Sequence, residues 1–279
     1  MKTFTRLLLI NVLMLSMIYV TKEARSQGFY GRVGVGGGVG LCDYDPCDGF
    51  YDEEYLYPEY DRLTSVSYDP GTGFHLNIAA GYYVNKNIAV ELGVKDFWGT
   101  NIKSTYTTSG EGGTLTDILR LRGMMVMVTP AVVLTTEMGK WDPYARFGMP
   151  IGIVPRVYEK QEQTGGNNTT IYEGVYKGGI PIGFNAALGV RYNISDNLDV
   201  YGEVNCNGIN YSPKKYILKT YTENGVDELG TLSTYQKEVQ FVRKYDDFEN
   251  IPQDEPRKQL KETFPFSNVE LSVGINMRF

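Results

Sequence analysis

The carboxyl end of the chain, Asn268-Val269-Glu270-Leu271-Ser272-Val273-Gly274-Ile275-Asn276-Met277-Arg278-Phe279, alternates between apolar and polar residues without a break. Successive side chains of an extended strand point to opposite faces, so one face is apolar and the other is polar and charged. Such a strand, ended by an aromatic residue, is typical of the wall of a transmembrane β-barrel. A strand of a soluble two-sheet sandwich would also alternate, but it has no physical reason to end in an aromatic residue.

The amino terminus indicates export from the cytoplasm. Lys2 and Arg6 precede an apolar run from Leu7 to Val20, which is too short to span a membrane as a helix. Small residues in Ala24-Arg25-Ser26 suit a signal peptidase, so we predict a signal peptide over residues 1–26 and a single barrel domain over residues 27–279. No cysteine lies near this junction, which argues against a lipoprotein.

The charge of the chain argues against nucleic acid as a partner. The net charge is −6, and removal of the basic signal peptide makes the mature chain more acidic. The expected environment of the exported chain is therefore the outer membrane of a Gram-negative bacterium.

The spacing of the strand-like segments favours a barrel over a sandwich. Short connections at 85–87, 137–142 and 195–197 take turns with long ones, which places every long loop at the same end. We predict an all-β fold: an eight-stranded antiparallel up-and-down transmembrane barrel with long extracellular loops. The predicted strands cover residues 28–41, 73–84, 88–99, 123–136, 143–154, 181–194, 198–212 and 267–279.

The inward faces of these strands carry charges of both signs. The predicted lumen charges are Glu91, Lys95, Arg146, Arg191, Glu203, Glu270 and Arg278. Eight strands leave an interior that side chains can fill, so we expect these ions to pair across a closed lumen. The alternative is an open channel that they line. The fourth strand is apolar on both faces and contains Pro130, so its register is not assigned from the sequence.

The first strand is rich in glycine. Gly34, Gly36, Gly38 and Gly40 share one face, and they lack the spacing, the lysine and the following helix of a phosphate-binding loop. We interpret them as space for the long side chains of other strands. Aromatic residues near strand ends are predicted to form the interfacial girdles; they are Trp98, Trp141, Tyr144, Tyr192 and Phe279.

These features together resemble the outer-membrane protein A-like small barrels. The resemblance rests on the glycine-rich first strand, the pattern of Gly73 to Asn85, Gly189-Val190-Arg191-Tyr192-Asn193 before Ser195-Asp196-Asn197, and the terminal Arg278-Phe279. It implies insertion by the outer-membrane assembly machinery, with Phe279 as the assembly signal. We expect no periplasmic peptidoglycan-binding domain, so a cell-wall tether is not implied.

The external loops are the candidate contact surface. Cys42 and Cys47 are a disulfide candidate in an oxidising compartment, with Cys206 left unpaired. The first loop is acidic, but its order departs from a calcium-binding EF-hand, so a solvated loop is favoured over a cation site. The last loop is predicted to contain a hairpin, because strand-like segments 216–221 and 231–245 flank Glu223-Asn224-Gly225. Residues 246–263 are expected to be an exposed loop with at most a short helix.

The sequence contains no catalytic signature. His75 is the single histidine and falls on an inward face, where a packed polar residue is the favoured interpretation. We therefore expect a non-enzymatic outer-membrane protein without a cofactor or metal. Its expected partners are outer-membrane lipid and lipopolysaccharide, the assembly machinery, and an extracellular protein or polysaccharide. A narrow pore for small or apolar molecules is the alternative, and a lipid-modifying enzyme is the third hypothesis.

Overall fold

The computed structural model describes residues 28–41, 51–56, 60–65, 69–110, 113–244 and 251–279. Of these, residues 51–56, 60–65, 108–110 and 113 are described by their backbone alone. The predicted signal peptide, Cys42, Cys47 and the acidic stretch between them lie outside the described residues. The disulfide and the cation site therefore remain predictions.

The described chain is almost entirely β-strand. A 3₁₀ turn (Leu229–Thr231) and one short helix, α1 (Thr234–Lys237), interrupt the last loop. No helix in the described ranges has the length and hydrophobicity needed to span a bilayer. The strands are β1 (Phe29–Gly40), β2 (Tyr51–Leu56), β3 (Tyr60–Ser65), β4 (Gly73–Asn85), β5 (Ile88–Gly99), β6 (Ile102–Gly110), β7 (Gly113–Thr135), β8 (Trp141–Gly148), β9 (Ile151–Gly152), β10 (Arg156–Gly165), β11 (Asn168–Lys177), β12 (Phe184–Ser195), β13 (Leu198–Gly208), β14 (Asn210–Tyr211), β15 (Lys215–Glu223), β16 (Val226–Asp227), β17 (Glu238–Val242), β18 (Arg257–Leu260), β19 (Phe264–Pro265) and β20 (Asn268–Arg278).

Eight of these strands close into an antiparallel barrel. Their order around the wall is β1, β4, β5, β7, β8, β12, β13 and β20. The wall closes where β20 pairs with β1, in a register that places Val33 opposite Ile275. Each predicted segment overlaps one of these strands, so the predicted barrel is confirmed. Closure leaves no unpaired strand edge inside the membrane.

The outward face of the wall is apolar. On β5, Ile88, Val90, Leu92 and Val94 are exposed, as lipid requires. Two predicted girdle residues, Trp141 and Tyr192, pack with ring centroids 4.7 Å apart. The prediction was wrong for Tyr144, which is buried in the lumen, because β8 begins at Trp141 and the alternation from there turns Tyr144 inward.

The structure supplies the register of β7 that the sequence left open. Met125 and Met127 face the interior and are buried, while Val132 and Leu134 face outward. The inner face at Met125 and Met127 is apolar because it packs against a hydrophobic cluster, whereas Val133 and Thr135 farther along the strand face the ionic lumen. Pro130 lies beside the break between β8 and β9, where the Met149 amide donates to its carbonyl at 3.0 Å. A proline is tolerated at such an irregularity because a ladder hydrogen bond is already missing.

The wall continues above the barrel as a tall sheet. The upper half of β7 pairs with β6 on one side and β10 on the other, and β10 leads through β11 and β15 to β17 and β18. The sequence predicted long loops at residues 100–122 and 155–180. The structure instead has strands in both segments. Residues 159–164 of β10 are polar on both faces, which hides this strand from a search for apolar alternation.

The last loop matches its prediction in part. Asn224 and Gly225 adopt positive φ angles of 51° and 82° at the tip of the β15–β16 hairpin, as the Asn-Gly turn predicts. Within residues 251–263, however, the structure has strand β18 and no helix, because this segment adds in parallel to the edge of β17.

Candidate functional site

The middle of the lumen holds two arginines and two glutamates in mutual contact, which we call the central quartet. Arg32 lies 2.8 Å from Glu203 and 3.7 Å from Glu91. Arg146 lies 2.8 Å from Glu203 and 3.4 Å from Glu91. All four side chains are buried. Their charges cancel, which is the condition under which buried ions are tolerated.

Neighbouring polar groups complete the quartet. The hydroxyl groups of Tyr30 and Tyr144 donate to Glu91 at 2.9 Å and to Glu203 at 2.7 Å. The guanidinium of Arg32 also lies 4.1 Å from the ring centre of Tyr201, a cation–π distance. These contacts join side chains from opposite sides of the barrel, so they cross the lumen and fill it.

A second ionic group lies nearer the end of the barrel that carries Gly28 and Phe279. The Arg278 guanidinium lies 2.6 Å from the Asp199 carboxylate, which also accepts from the Asn276 amide at 2.9 Å. Arg191 donates to Tyr83 and Thr135 and lies 5.3 Å from the ring centre of Tyr144. Both arginines were predicted to face the lumen, and both do.

The third group contains the single histidine. His75 Nε2 lies 3.1 Å from Ser272 Oγ, and His75 Nδ1 lies 3.5 Å from Glu270 Oε1. The Lys95 ammonium pairs with Glu270 at 2.5 Å. This order of serine, histidine and glutamate has the connectivity of a hydrolytic triad. Ser272 is buried, however, and it also accepts from the Asn205 amide at 3.2 Å, so its hydroxyl is not presented to a substrate.

The voids around these groups are the size of single water molecules. One void of about 10 Å³ lies beside Tyr30 and Arg191, and another of about 20 Å³ lies beside His75 and Lys95. A void of this size holds one water. It admits neither a lipid chain nor an ester substrate.

An apolar plug closes the outer mouth of the barrel. The plug consists of Phe97, Leu121, Met125, Met127, Val157, Ile209, Tyr211, Phe264 and Phe266. A third void of about 10 Å³ separates the plug from the polar lumen at Asn268 and Glu270. Phe264 and Phe266 precede β20, and both side chains are buried in the plug.

The glycines of β1 make room for the lumen side chains, as predicted. A methyl group on Gly38 would lie 2.6 Å from Glu270 Cγ, and one on Gly36 would lie 2.6 Å from the His75 ring. Gly34 admits the Tyr201 hydroxyl in the same way, so the space serves aromatic as well as charged side chains.

Above the plug, the inner face of the tall sheet forms an open cleft of about 490 Å³, which we call the outer cleft. Five aromatic side chains line it: Tyr172, Tyr176, Tyr216, Tyr221 and Phe241. The Glu159 carboxylate lies among them and accepts from the Tyr176 and Tyr216 hydroxyls, each at 2.9 Å. Glu262 and Arg257 also line the cleft. Sequence reasoning missed this site because its residues come from β10, β11, β15, β17 and the segment 257–262.

Burial affects both carboxyl groups of the outer cleft. Desolvation raises the pKa of Glu159, although the two tyrosine hydrogen bonds oppose the rise. Desolvation, followed by the nearby Glu159 charge, raises the pKa of Glu262 to about 7. Within the described chain, neither carboxylate forms an ion pair with a lysine or arginine.

The outer face of the same sheet carries a row of cations just above the apolar band. The register places Arg156 opposite Lys177 and Lys177 opposite Lys215, on three neighbouring strands. Partial desolvation, and then the nearby Lys215 and Lys219 charges, lower the pKa of Lys177. Like charges directly opposite each other destabilise a sheet unless an anion lies between them.

All seven predicted lumen charges lie on inward faces, and they fall into the three groups described above. Sequence reasoning missed Arg32, which occupies the same inward face of β1 as the glycines, and Asp199, the second residue of β13. Strict alternation along β1 and β13 was the signal that could have found both. Phe279 lies at the end of β20, where its amide donates to the Phe29 carbonyl at 2.9 Å.

Residues 11–231 match the family model described as the outer membrane protein beta-barrel domain. No curated protein matches the chain. Among solved structures, Neisserial surface protein A is similar at 12% identity with a TM-score of 0.37, over 90% of this chain and 97% of that chain. A major outer membrane protein of Thermus thermophilus is similar at 13% identity and 0.38, over 90% and 100%. The outer membrane protease OmpT of Escherichia coli is similar at 10% and 0.37, over 92% and 99%. At these identities and scores the neighbours carry no argument about ligands or activity.

Proposed function

The chain belongs to the outer-membrane protein β-barrel family, and from this premise we propose a structural and adhesive role at the cell surface, without catalysis. In this role the barrel anchors the protein in the outer membrane. The sheet above the membrane contacts an extracellular protein or polysaccharide. The observation that carries the proposal is the contrast between a filled lumen and a tall outer wall.

The filled lumen argues against the alternative of a narrow pore. A solute would have to break the central quartet and then displace Phe264 and Phe266 from the apolar plug. Separating buried ion pairs leaves uncompensated charges in a low dielectric, which is costly. The same filling argues against a conduit for apolar molecules, since the lumen is polar below the plug.

The geometry around His75 supports the absence of catalysis. A general base must reach a proton on a bound substrate, and a serine nucleophile must reach a carbonyl carbon. His75 and Ser272 are buried beside water-sized voids. Their hydrogen bonds therefore serve to satisfy polar groups inside the barrel.

The outer face supports the proposal of lipopolysaccharide as a lipid partner. The cations of Arg156, Lys177 and Lys215 stand where the apolar band ends, at the level of lipid headgroups. Phosphate groups of lipopolysaccharide supply the anions that would relieve their repulsion. We assign Phe279 the role of assembly signal, since it ends the strand that closes the barrel.

The experiment that tests the adhesive role shortens the sheet above the membrane. In the variant, residues 159–174 and 216–260 are replaced by short Gly-Ser turns, and the plug residues Phe264 and Phe266 are kept. We expect normal insertion, but loss of cell–cell aggregation and of adhesion to a mucin-coated surface. The matched control is Asp196→Ala in the tight turn at the opposite end of the barrel, which should change neither. If cells with the shortened protein aggregate and adhere as before, the adhesive role is wrong.

A further inference from the structure

The outer cleft has a composition that the adhesive role does not require. It combines two carboxyl groups with five aromatic rings in a cavity of about 490 Å³, which is within the range of small-molecule sites. We propose that this cleft binds a small organic cation through an alkylammonium group. This inference goes beyond the proposed function and does not depend on it.

The first argument is the unmet charge of the carboxyl groups. Glu159 and Glu262 are half-buried, and carboxylates partly removed from water are normally paired with a cation because desolvation disfavours the charged form. Glu159 receives only neutral tyrosine hydroxyls, and Glu262 has no ion pair with any residue that the structure describes. Arg257 is exposed on the cleft wall and supplies one positive charge against two negative ones. A bound cation would complete the charge balance.

The second argument is the arrangement of the rings. Tyr176 packs against Tyr216 at 4.8 Å and against Phe241 at 6.0 Å between ring centroids. Tyr172 packs against Tyr221 at 5.1 Å. Ring faces attract ammonium groups, and clusters of rings bind them in water. The two hydroxyl groups that hold Glu159 also fix the orientation of the Tyr176 and Tyr216 rings.

The local backbone is built to place Tyr216 there. The β11–β15 pairing has an irregularity between Glu173 and Gly174. A methyl group on Gly174 would overlap the Tyr216 hydroxyl, so only glycine lets this ring lie across β11. Through this gap the Tyr216 hydroxyl reaches Glu159 on β10.

The apolar part of the lining selects an organic cation over a metal ion. Hard metal cations need six or more oxygen ligands. The outer cleft instead presents Leu218, Leu232 and Val239 beside its carboxyl groups. These side chains suit the methyl or methylene groups that surround an alkylammonium nitrogen. The same chemistry occurs in free amines and in the lysine side chains of a protein.

The test is calorimetric titration of the full-length mature protein in lipid nanodiscs with four probes. The probes are choline, its neutral isostere 3,3-dimethyl-1-butanol, Nα-acetyl-lysine methylamide and calcium. We expect saturable binding of at least one ammonium probe, with an affinity at least about ten-fold higher than that of the isostere. The isostere lacks the positive charge that the rings and the carboxylates attract. Stronger binding of choline identifies a free small cation as the source. Stronger binding of the lysine derivative identifies a protein side chain.

Variants on opposite faces of β10 make the test specific. Glu159→Gln should weaken binding about ten-fold or more. Glu162→Gln removes a carboxylate from the outer face of the same strand and should leave the affinity unchanged. If Glu159→Gln fails to fold, Tyr172→Leu serves in its place, with the outward-facing Tyr158→Leu as its control. Equal binding of choline and its isostere, equal effects of the paired variants, or a response to calcium alone would overturn the proposal.

Discussion

Replacement of Arg146 by methionine tests whether the lumen is held by its ions. Arg146 contacts Glu203 at 2.8 Å, Glu91 at 3.4 Å and the Asn205 side chain at 2.7 Å. After the replacement Glu203 keeps Arg32 at 2.8 Å, but Glu91 keeps it only at 3.7 Å. One buried negative charge is then left without a close partner. We expect a loss of about 3–5 kcal/mol in the free energy of unfolding, as for other broken buried pairs.

The matched control is Arg120→Met on the sheet above the membrane. Arg120 pairs with Glu162 at 3.3 Å, and the two side chains are 35% and 33% exposed. A pair exposed to this degree contributes less than about 1 kcal/mol. The assay is equilibrium urea unfolding in lipid vesicles, followed by tryptophan fluorescence and by the heat-dependent gel mobility of folded barrels. The double variant Arg146→Met with Glu91→Gln should recover part of the loss. Equal losses for Arg146→Met and Arg120→Met would refute the reasoning.

The remaining predictions concern the β1 glycines, the outer cleft and the carboxyl terminus. Gly38→Ala places a methyl group 2.5 Å from the Val269 carbonyl oxygen and should lower the free energy of unfolding in urea by about 1–3 kcal/mol. The control Gly37→Ala meets only the Gly73 oxygen at 3.3 Å and should be nearly neutral. Equal losses for the two variants would contradict the role of the glycines in making space. The pKa of Glu262 is raised to about 7, and Glu159, Tyr176, Tyr216 and Arg257 line the same cleft. Choline affinity should therefore rise up to about ten-fold between about pH 6 and 8, as Glu262 becomes charged. Glu262→Gln should abolish this rise. In the absence of ligand the same shift should make the fold less stable as the pH rises from 4.5 to about 7, because over this range the unfolded chain has released the proton that the folded state still holds. Deletion of Phe279 should slow membrane insertion in a pulse-chase experiment while Phe279→Tyr does not, and normal kinetics for the deletion would remove its role as the assembly signal.

The lipid face made most of the barrel predictable. Hydrocarbon on one side and a polar lumen on the other force strict alternation, and this pattern identified β4, β5, β12 and β20 and the inward charges of the last three. The alternation weakened where the environment changed. β7 packs against the apolar plug, so its inward Met125 and Met127 gave no polar signal.

The sheet above the membrane was less predictable because water lies on both of its sides. In β10, Lys160 and Glu162 face outward and Glu159 and Gln161 face the cleft, so no apolar period marks the strand. The outer cleft depends on tertiary pairing as well. Glu159 and Tyr216 are 57 positions apart and meet through the gap at Gly174, which no local pattern reveals.

The lumen of the barrel is closed below the outer cleft, and a conductance measurement tests this closure directly. Pure protein in planar bilayers should give no stable current steps, because the central quartet and the apolar plug fill the lumen, and the voids of about 10 to 20 Å³ beside them are the size of single water molecules. Large, steady, porin-like currents from the same preparation would contradict the claim and favour a conduit through the barrel.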